Sequence, residues 1–394
     1  MAGRVVLFVH GPRNVGGDTT VLLHTLEHLD PARIDAVVAA TRDCEAWQRL
    51  SALAATAKFR LLPLDMGVTG TDPGSPRLGR AADAMVVARS LARLVGIIRG
   101  QRVDVVYTLD RSRAVLLAAL AARLTRRPLV FHAHYPYYPS ARWSVAVVRS
   151  AARVVAISRF IGHEYEQRGI DPVRIQVIYN GIDADRYSSG DGASARSAFG
   201  VDPADQLVLL PGRLSRYKGQ VELLEAMPAI LKETRRARVV FAGYDSPELG
   251  DLVVPNAGSV GAVLRLRAVE LGIADRVVLT GGTDHFADLY AAADVVVCPS
   301  WAEPFGLVVA EAMAAARPIV GASSGAIPEL ITHEQSGLLA PPRDPPALAA
   351  AVLRMLGDPA LAARLAGEAQ RVVRERFTIS RYAAELQALL LDTR

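Results

Sequence analysis

Cysteine is scarce in this chain, and its scarcity excludes two kinds of protein. The 394 residues include two cysteines, Cys44 and Cys298, too few for a disulfide framework and without the spacing of a metal site. The opening apolar run, Val5–Val9, is far shorter than a membrane span or the apolar region of a signal peptide. These absences predict a protein of the reducing cytoplasm, with Val5–Val9 as a buried first strand.

Neither sign of charge dominates the sequence. The formal net charge of +5 is the balance of 45 basic and 40 acidic residues, and no basic cluster is dense enough to indicate a nucleic-acid partner. Hydrophobic residues make up 51% of the chain and charged residues 22%, which excludes a disordered protein. A globular chain of this length exceeds one ordinary hydrophobic core, so the sequence predicts two domains.

Two common nucleotide-binding motifs are absent from the loop after the first strand. The loop reads Gly16-Gly17-Asp18-Thr19, which is neither Gly-x-Gly-x-x-Gly nor the Gly-Lys-Ser/Thr ending of a phosphate-binding loop. Interpretations as a nicotinamide- or ATP-binding protein therefore lose their main support. From the residues alone, the loop can be a tight turn in which Asp18 or Thr19 caps a helix, with no ligand at all.

Strand-like and helix-like segments alternate in both halves of the chain. The alternation predicts an α/β fold of two doubly wound, Rossmann-like domains with parallel sheets, whose loops would face one cleft. A polar stretch from Arg186 to Gln206 predicts the join, so the expected domains are 1–190 and 205–376, followed by a last helix in 377–394. The runs that predict strands are Val5–Val9, Asp35–Ala40, Val103–Thr108, Pro128–His134, Arg153–Ile157, Gln176–Tyr179, Leu207–Leu210, Arg238–Phe241, Arg276–Leu279, Val295–Cys298 and Ile319–Gly321.

The loop Pro211–Gly219 carries two cations that suit a diphosphate. It follows a predicted strand and contains Arg213 and Lys218. The chain has only three lysines and 42 arginines, so a lysine kept beside arginines and glycines indicates the need for a compact point charge. The alternative is a solvated lysine without a ligand.

Glu303 and Glu311 lie about two helical turns apart, with Gly306 between them. Gly306 allows the backbone to approach a ligand closely, and the free N–H groups of a helix that begins there would bind phosphate. The carboxylates can accept hydrogen bonds from sugar and ribose hydroxyls. Glu225 and Glu233 have the same spacing without this context, and a solvated helix face explains them.

The motifs of the second half occur in a characteristic order: Asn180-Gly181-Ile182-Asp183, Gly212-Arg213-Leu214 with Lys218-Gly219, Pro299-Ser300 with Glu303-Pro304-Phe305-Gly306 and Glu311-Ala312, and Pro318-Ile319-Val320. This order resembles the large family 4 of retaining glycosyltransferases, which have the GT-B fold. The first half resembles the family more loosely, through Gly16-Gly17, Pro128–His134 and Ala156-Ile157-Ser158-Arg159. Such proteins typically end in a helix that crosses back onto the first domain, and Ile379–Leu391 is placed to form it.

The resemblance implies a role for each matching residue. In similar enzymes the equivalents of Arg213 and Lys218 bind the nucleotide diphosphate, and the equivalent of Glu311 binds ribose hydroxyls. The equivalent of Glu303 contacts the donor sugar. We expect Arg213, Lys218 and Glu303, together with His134, to form the catalytic group.

Backbone amides near Phe305, Gly306 and Leu307 would complete the donor site, with Gly16 and Gly17 at its border. The donor is then a substrate, and neither a cofactor nor a metal is required. The triplet Asp183-Ala184-Asp185 imitates a metal-binding Asp-x-Asp motif, but it follows a turn signal, and we interpret it as a coincidence.

Two histidines and two tyrosines are candidates for the acceptor side. His132 and His134 alternate along a predicted strand, so they share one face near its carboxyl end. His134 best matches a histidine that similar enzymes place near the reacting sugar, as a polar contact and not as a nucleophile. We assign His132, Tyr135 and Tyr137 to the acceptor side, and two core histidines bonded to backbone are the alternative.

The sequence therefore predicts a metal-independent retaining glycosyltransferase that moves a hexose-type sugar from a UDP- or GDP-linked donor to a small-molecule or glycan acceptor. A noncatalytic nucleotide-sugar-binding protein and a nucleotide-sugar 2-epimerase of the same fold stay open as alternatives. Departures from the family pattern at Ala242–Ser246 and Gly325-Ala326 leave the donor sugar open. The helix-like stretch Arg80–Arg99 would contact an anionic membrane weakly if the acceptor is a lipid, although such helices ordinarily pack on their own sheet. The arginine and alanine content predicts a GC-rich bacterial source, with secondary-metabolite, glycolipid and polysaccharide pathways all open.

Overall fold

The computed structural model describes residues 3–13, 15–66, 80–109, 113–136, 142–246, 258–283 and 285–394. The chain divides into two compact units, one formed by Met1–Gly181 with Ile379–Arg394 and the other by Ile182–Thr378. The division after Gly181 falls before the predicted boundary at residue 190, so the whole polar stretch Arg186–Gln206 belongs to the second unit.

The first unit is built on a parallel sheet of seven strands in the order β3-β2-β1-β4-β5-β6-β7. Its central strands are apolar on both faces because helices cover both sides of the sheet. The edge strand β3 was not predicted, since it is half-buried, has no β-branched residue and ends in proline. The strands are β1 (Arg4–His10), β2 (Ile34–Ala40), β3 (Phe59–Pro63), β4 (Val105–Thr108), β5 (Leu129–Ala133), β6 (Arg153–Ala156) and β7 (Ile175–Val177).

In the described part of this unit, six helices connect the strands, as the alternating sequence pattern predicts. Helix α3, which includes the whole of the arginine-bearing stretch considered for a membrane, packs against α4. Its buried side includes Leu94 and Ile98, whereas Arg89 and Arg93 are exposed. The helices are α1 (Gly17–His28), α2 (Glu45–Ala54), α3 (Arg80–Gly100), α4 (Arg113–Thr125), α5 (Arg142–Arg149) and α6 (Arg159–Glu166).

The second unit is built on a parallel sheet of six strands in the order β10-β9-β8-β11-β12-β13. Buried valines and leucines of the strands form one core with the helices that cover them, including Val208, Leu223 and Val352. The edge strand β13 was not predicted, since its three residues include none that is β-branched. The strands are β8 (Gln206–Pro211), β9 (Ala237–Ala242), β10 (Val277–Gly281), β11 (Val295–Cys298), β12 (Ile319–Ala322) and β13 (Leu338–Ala340).

The described residues of the second unit form eight helices, and the first of them lies in the stretch that was predicted to join the domains. That prediction was wrong, because Asp191 caps a helix through Ser194 N (3.0 Å) and Arg196 binds Ala292 O (2.9 Å). The polar residues of this stretch cap a helix and form an ion pair, so the stretch is not a free linker. The helices are α7 (Gly192–Ala198), α8 (Gln220–Glu233), α9 (Val260–Glu270), α10 (Phe286–Ala292), α11 (Leu307–Ala314), α12 (Ile327–Leu330), α13 (Pro345–Gly357) and α14 (Pro359–Arg376).

The last helix, α15 (Ile379–Asp392), returns to the first unit. Its buried face includes Leu386 and Leu390 in the core of that unit. The hydroxyl of Tyr382 lies 2.8 Å from that of Thr25, and Gln387 Oε1 accepts a hydrogen bond from Asp30 N at 2.9 Å. The chain therefore completes the first unit only with its final residues.

Among the described residues, no single helix has both the length and the apolar composition to cross a bilayer. The pair α13 and α14 reaches that length and composition together, but the two helices are bent by 100° at their junction.

Candidate functional site

The second sheet reverses its strand order between β8 and β11, which are direct neighbours. Ligands of doubly wound sheets bind beside such a reversal, at the carboxyl ends of the strands. The loops that follow here are Pro211–Gly219 and Pro299–Gly306, the two loops that carry the predicted cations and the first predicted acid. The topology thus brings together two motifs that lie about 85 residues apart in the sequence.

Lys218 and Glu303 form an ion pair between these loops. The ammonium of Lys218 donates to both carboxylate oxygens of Glu303, at 2.7 and 3.0 Å, and both side chains are largely buried. Burial disfavours the charged lysine, but the Glu303 carboxylate outweighs this effect and raises the pKa of Lys218 above its usual value. Lys218 is therefore a cation at neutral pH. Its ammonium is directed towards Glu303, the residue predicted to contact the donor sugar.

Arg213 lies in the same loop as Lys218. Its guanidinium donates to the hydroxyl of Tyr217 at 3.1 Å, and its carbonyl accepts from Gln220 Nε2 at 3.1 Å. Gln220 is buried at the start of α8, so the backbone of Arg213 is fixed while its side chain stays exposed. An exposed guanidinium in this position is accessible to an anion.

A close backbone contact fixes Glu303. Its carbonyl accepts a hydrogen bond from Ala326 N at 2.8 Å, and Gly325 lies so near that a Cβ there would be 2.5 Å from the nitrogen and oxygen of Glu303. Only glycine fits at position 325 without displacing this backbone. The departure of the sequence from the family pattern at Ala326 is thus compatible with the same loop contact.

Helix α11 begins at Leu307, directly after Gly306, which has φ +102°. The sequence predicted its start one or two residues earlier. The first intrahelical hydrogen bond joins Ala310 N to Gly306 O, so the N–H groups of residues 307–309 precede the helical ladder. These groups and the helix dipole favour an anion at this end of α11.

Glu311 lies inside α11, and two tyrosines that the sequence analysis missed bind its carboxylate. The hydroxyl of Tyr187 donates to Oε1 at 3.1 Å, and that of Tyr290 donates to Oε2 at 2.6 Å. Burial raises the pKa of Glu311, and the hydrogen bonds from Tyr290 and Tyr187 partly oppose this rise. No sequence signal marked either tyrosine, because each lies in a segment far from Glu311 along the chain.

The other pair of glutamates with the same spacing has a different environment. Glu225 on α8 binds Arg267 on α9 through both carboxylate oxygens, at 2.5 and 3.1 Å. This ion pair joins two neighbouring helices of the second unit. The two pairs of acids therefore differ in their surroundings. Glu225 binds an arginine of a neighbouring helix, whereas Glu303 and Glu311 lie beside the strand reversal.

Trp301 is a further residue of the site loop that the sequence did not single out. The guanidinium carbons of Arg216 and Arg343 lie 4.1 and 3.5 Å from the centroid of its ring. Arg216 also pairs with Glu222 at 2.7 Å. These contacts hold the loop Pro299–Gly306 against the loop that carries Lys218.

The predicted histidines lie at the carboxyl end of the first sheet, where its strand order reverses between β1 and β4. His132 is fully buried, its Nδ1 is hydrogen-bonded to the hydroxyl of Tyr107, and its ring lies 4.2 Å from that of His134. His10, at the end of β1, lies with Nε2 at 3.1 Å from Thr19 Oγ1. Three imidazoles are thus buried in one part of the first unit.

These imidazoles retain nitrogen atoms without a partner. Among the described residues, His10 Nδ1, His132 Nε2 and His134 Nε2 are buried and have no hydrogen bond. Burial lowers the pKa of His10 and of His134 to about 3, with His10 also opposing charge on His134. Burial and the neighbouring His134 lower the pKa of His132 well below its usual value. All three histidines are neutral at pH 7, so none of them is a cationic acid there.

Gly16 and Gly17 form the start of α1, with Gly16 as the N-cap. The interpretation of Asp18 or Thr19 as the cap was therefore wrong, since both lie inside the first turn and Asp18 Oδ1 accepts from Thr19 N at 2.9 Å.

Tyr135 is half-buried after β5. Tyr137, the other predicted acceptor-side tyrosine, lies outside the described residues.

Within the described part of the chain, no group of three or more His, Cys, Asp or Glu side chains is arranged to hold a metal ion. In the triplet that imitates Asp-x-Asp, Asp185 pairs with Arg374 at 2.8 Å. Asp183 Oδ1 accepts a hydrogen bond from Asp185 N at 3.1 Å. The triplet is a turn whose second acid is tied to α14.

Two doubly wound sheets with a final helix that returns to the first unit define the GT-B class of nucleotide-dependent transferases. Residues 15–186 match the family model described as Glycosyltransferase Family 4, and residues 205–358 match the model described as Glycosyl transferases group 1. The chain belongs to this family of glycosyltransferases, and the predicted family and fold class are confirmed.

Individual relatives support the same placement. The chain is 34% identical over 218 residues to the uncharacterized glycosyltransferase MJ1607 of Methanocaldococcus jannaschii, covering 54% of this chain and 52% of that one. It is 35% identical over 234 residues to a D-inositol 3-phosphate glycosyltransferase of Streptomyces scabiei, covering 57% and 50%. The chain spans about half the length of the curated relatives it matches. The crystal structure of Anabaena Alr3699/HepE in complex with UDP-glucose superimposes with a TM-score of 0.79 at 25% identity, covering 98% of this chain and 99% of that one.

Proposed function

We propose that the protein is a retaining glycosyltransferase that moves a hexose-type sugar from a UDP- or GDP-linked donor to an acceptor hydroxyl. The observation that carries this proposal is the grouping, at one strand reversal, of the Lys218–Glu303 pair, the start of α11 and Glu311. Each supplies a contact that a nucleotide sugar needs: charge for the diphosphate and acceptors for the hydroxyls of sugar and ribose. The structural relative in complex with UDP-glucose supports a uridine donor.

The departing diphosphate gains negative charge while the glycosidic bond breaks. The exposed guanidinium of Arg213, the ammonium of Lys218 and the N–H groups that precede the ladder of α11 would bind that charge more strongly in the transition state than in the ground state. Glu303 would hold Lys218 in place and accept hydrogen bonds from the donor sugar. We propose that these groups make a metal unnecessary.

Retention of configuration requires either two displacements or attack on the face from which the leaving group departs. We favour same-face attack, with the leaving phosphate as the base. His134, with its pKa near 3, is neutral at pH 7 and would contribute a polar contact and no proton from an imidazolium. Tyr135 and His134 are our candidates for contact with the acceptor, and His132 would support the ring of His134.

The pathway and the location belong to the same proposal. We place the reaction in the bacterial cytoplasm, because both cysteines are free and nucleotide sugars are the donors. The acceptor would come from secondary-metabolite, glycolipid or polysaccharide biosynthesis. For a lipid acceptor, the exposed Arg89 and Arg93 of α3 and the half-exposed Met85 would supply a weak contact with an anionic bilayer.

Thermal unfolding with UDP, GDP, ADP and their sugars, each with and without EDTA, tests the donor site. A ligand at a hundred times its dissociation constant stabilises the folded chain by about 2.7 kcal/mol, which is readily measured. We expect Arg213→Ala to lose this stabilisation and Arg371→Ala to keep it, since Arg371 pairs with Glu368 and Glu375 on the surface of α14. No stabilisation by any nucleotide would refute the donor site, and loss of stabilisation with EDTA would refute metal independence.

Hydrolysis of the bound nucleotide sugar separates catalysis from binding. We expect slow release of sugar by the wild-type chain and none by Glu303→Gln, measured by chromatography of the nucleotide products. A chain that binds the donor but neither hydrolyses nor transfers it, across a broad set of acceptors, would be a noncatalytic binding protein. Conversion of the donor to its 2-epimer would instead identify the epimerase.

A further inference from the structure

The two tyrosines that bind Glu311 come from separate parts of the second unit. Tyr187 lies in a 3-10 turn, Asp185–Tyr187, at the beginning of the unit, and Tyr290 lies in α10. Their rings meet edge to face, with centroids 5.8 Å apart and planes at 76°. Each hydroxyl reaches a different oxygen of the same carboxylate.

The surrounding backbone fixes this arrangement. Gly190 lies against α10 so closely that a Cβ there would be 2.1 Å from Ala287 O, and Asp191 N donates to Asp288 Oδ1 at 2.7 Å. Tyr290 itself is fully buried. The segment that carries Tyr187 is therefore packed onto the helix that carries Tyr290, and both hydroxyls are directed at Glu311.

The two hydrogen bonds from the tyrosines leave some acceptor positions of the Glu311 carboxylate unused. A carboxylate has about four acceptor positions, two on each oxygen. One tyrosine hydroxyl occupies one position on each oxygen, so about one position remains on each. Two acceptors on neighbouring oxygens match two donors on neighbouring carbons, which is the geometry of a vicinal diol.

We propose that Tyr187 and Tyr290 are positioning residues that orient Glu311 to bind the 2′- and 3′-hydroxyls of the nucleotide ribose. This inference rests on the proposed function, because it specifies how the donor site recognises a ribonucleotide. The tyrosines do not touch the nucleotide; they set the direction and the charge of the group that does.

The ionisation of Glu311 provides a second, independent readout. Burial raises the pKa of Glu311, and the tyrosine hydroxyls lower it by donating to the ionised form. Removal of a hydroxyl therefore raises the pKa further, so the carboxylate protonates at a higher pH. A protonated Glu311 has less acceptor capacity for a diol, and ribonucleotide affinity falls with it.

The test uses the full chain and isothermal titration with UDP, GDP and ADP and with the 2′-deoxy form of each. For the nucleotide that binds best, we expect the wild-type chain to prefer the ribose form by about tenfold, as one hydrogen bond to a charged group of roughly 1.4 kcal/mol implies. Tyr187→Phe, Tyr290→Phe and Glu311→Gln should each reduce this preference to about twofold or less, chiefly by weakening the ribose form. In Tyr290→Phe, the loss of affinity on acidification should also begin at a higher pH than in the wild type.

Tyr382→Phe is the matched control, since it removes a buried and hydrogen-bonded hydroxyl from the first unit. It should alter thermal stability while leaving the ribose preference unchanged. An unchanged preference in both Tyr187→Phe and Tyr290→Phe, with the nucleotide still bound, overturns the inference and leaves the proposed function standing. Failure of the wild-type chain to bind any nucleotide overturns the proposed function as well.

Discussion

At the scale of single residues, Lys218 serves both the folded state and the proposed ligand. Its ammonium is largely buried and is compensated by both oxygens of Glu303. Removing one member of a buried pair leaves the other desolvated without a partner, whereas removing both charges avoids that penalty. The effects of substituting Lys218 and Glu303 on the free energy of unfolding should therefore not be additive. Of the two residues, only the lysine offers positive charge to a diphosphate.

We expect Lys218→Met to destabilise the second unit by about 3 kcal/mol, because the Glu303 carboxylate is left buried and unpaired. The double variant Lys218→Met with Glu303→Gln should recover much of this loss. Urea unfolding measures both free energies, and nucleotide titration should show that neither variant regains donor affinity. Equal destabilisation by the single and the double variant would contradict the coupling.

The residues of the candidate site differ in how far the sequence could predict them. Arg213, Lys218 and Glu303 follow predicted strands in glycine-bearing loops, and the strand reversal brings those loops together. Tyr187 and Tyr290 could not be predicted, because their hydroxyls reach Glu311 only through the packing of distant segments. Their roles, like those of the predicted residues, are open to the titrations described above.

At the scale of elements, α11 depends on the unusual backbone of the residue before it. Gly306 has φ +102° and ψ 56°, a conformation that a residue with a Cβ adopts only under strain. A Cβ there would contact Val309 Cγ2 at 3.4 Å, so strain in the backbone exceeds any crowding. Gly306 fixes the direction in which α11 starts and hence the direction of its free N–H groups.

We expect Gly306→Ala to destabilise the second unit by about 1–3 kcal/mol through this strain and to weaken nucleotide binding at the start of α11. Gly367→Ala is the matched control, since Gly367 lies within α14 and a Cβ there meets no atom within 4 Å. The control should stabilise the chain by about 0.5–1 kcal/mol, because alanine favours the interior of a helix over glycine. Thermal unfolding measures whether the two substitutions change stability in opposite directions, and nucleotide titration measures how each variant binds the donor nucleotide. A destabilised control, or a Gly306→Ala chain with unchanged stability, would contradict the assignment of strain.

The elements that the sequence predicted well are the ones with strong apolar periodicity. The central strands of both sheets were predicted because apolar runs identify them, whereas the last helix was expected from the resemblance to family 4. The polar stretch from Arg186 was misjudged, since the capping Asp191 and the ion-pairing Arg196 look like linker residues until their partners are known. The edge strands β3 and β13 were missed because they contain no β-branched residue, and the predicted runs were identified by such residues.

At the scale of the whole molecule, each unit encloses its own sheet, but the first unit alone buries three neutral imidazoles. His10 and His134 have pKa values lowered to about 3, and the pKa of His132 is also well below its usual value. In the unfolded chain these groups take up protons near pH 6.5. Between about pH 6.5 and pH 3 the unfolded state therefore binds more protons than the folded state, and the stability of the first unit falls as the pH falls.

We expect each buried imidazole to contribute a loss of up to about 1.4 kcal/mol per pH unit below pH 6.5, with the full contribution to stability present above that pH. Because carboxylates also titrate in acid, the measured quantity is the difference between the wild type and His134→Gln in the change of unfolding free energy from pH 7.5 to pH 5. Unfolding in urea is monitored through the hydrogen exchange of peptides from β1 and β5, so the measurement reports on the first unit alone. His134→Gln should lose less stability on acidification than the wild type. His285→Gln, a substitution in the second unit, is the control and should leave the hydrogen exchange of these first-unit peptides unchanged. If His134→Gln and the wild type lose stability equally, His134 takes up its proton in the folded chain and is not held neutral by burial.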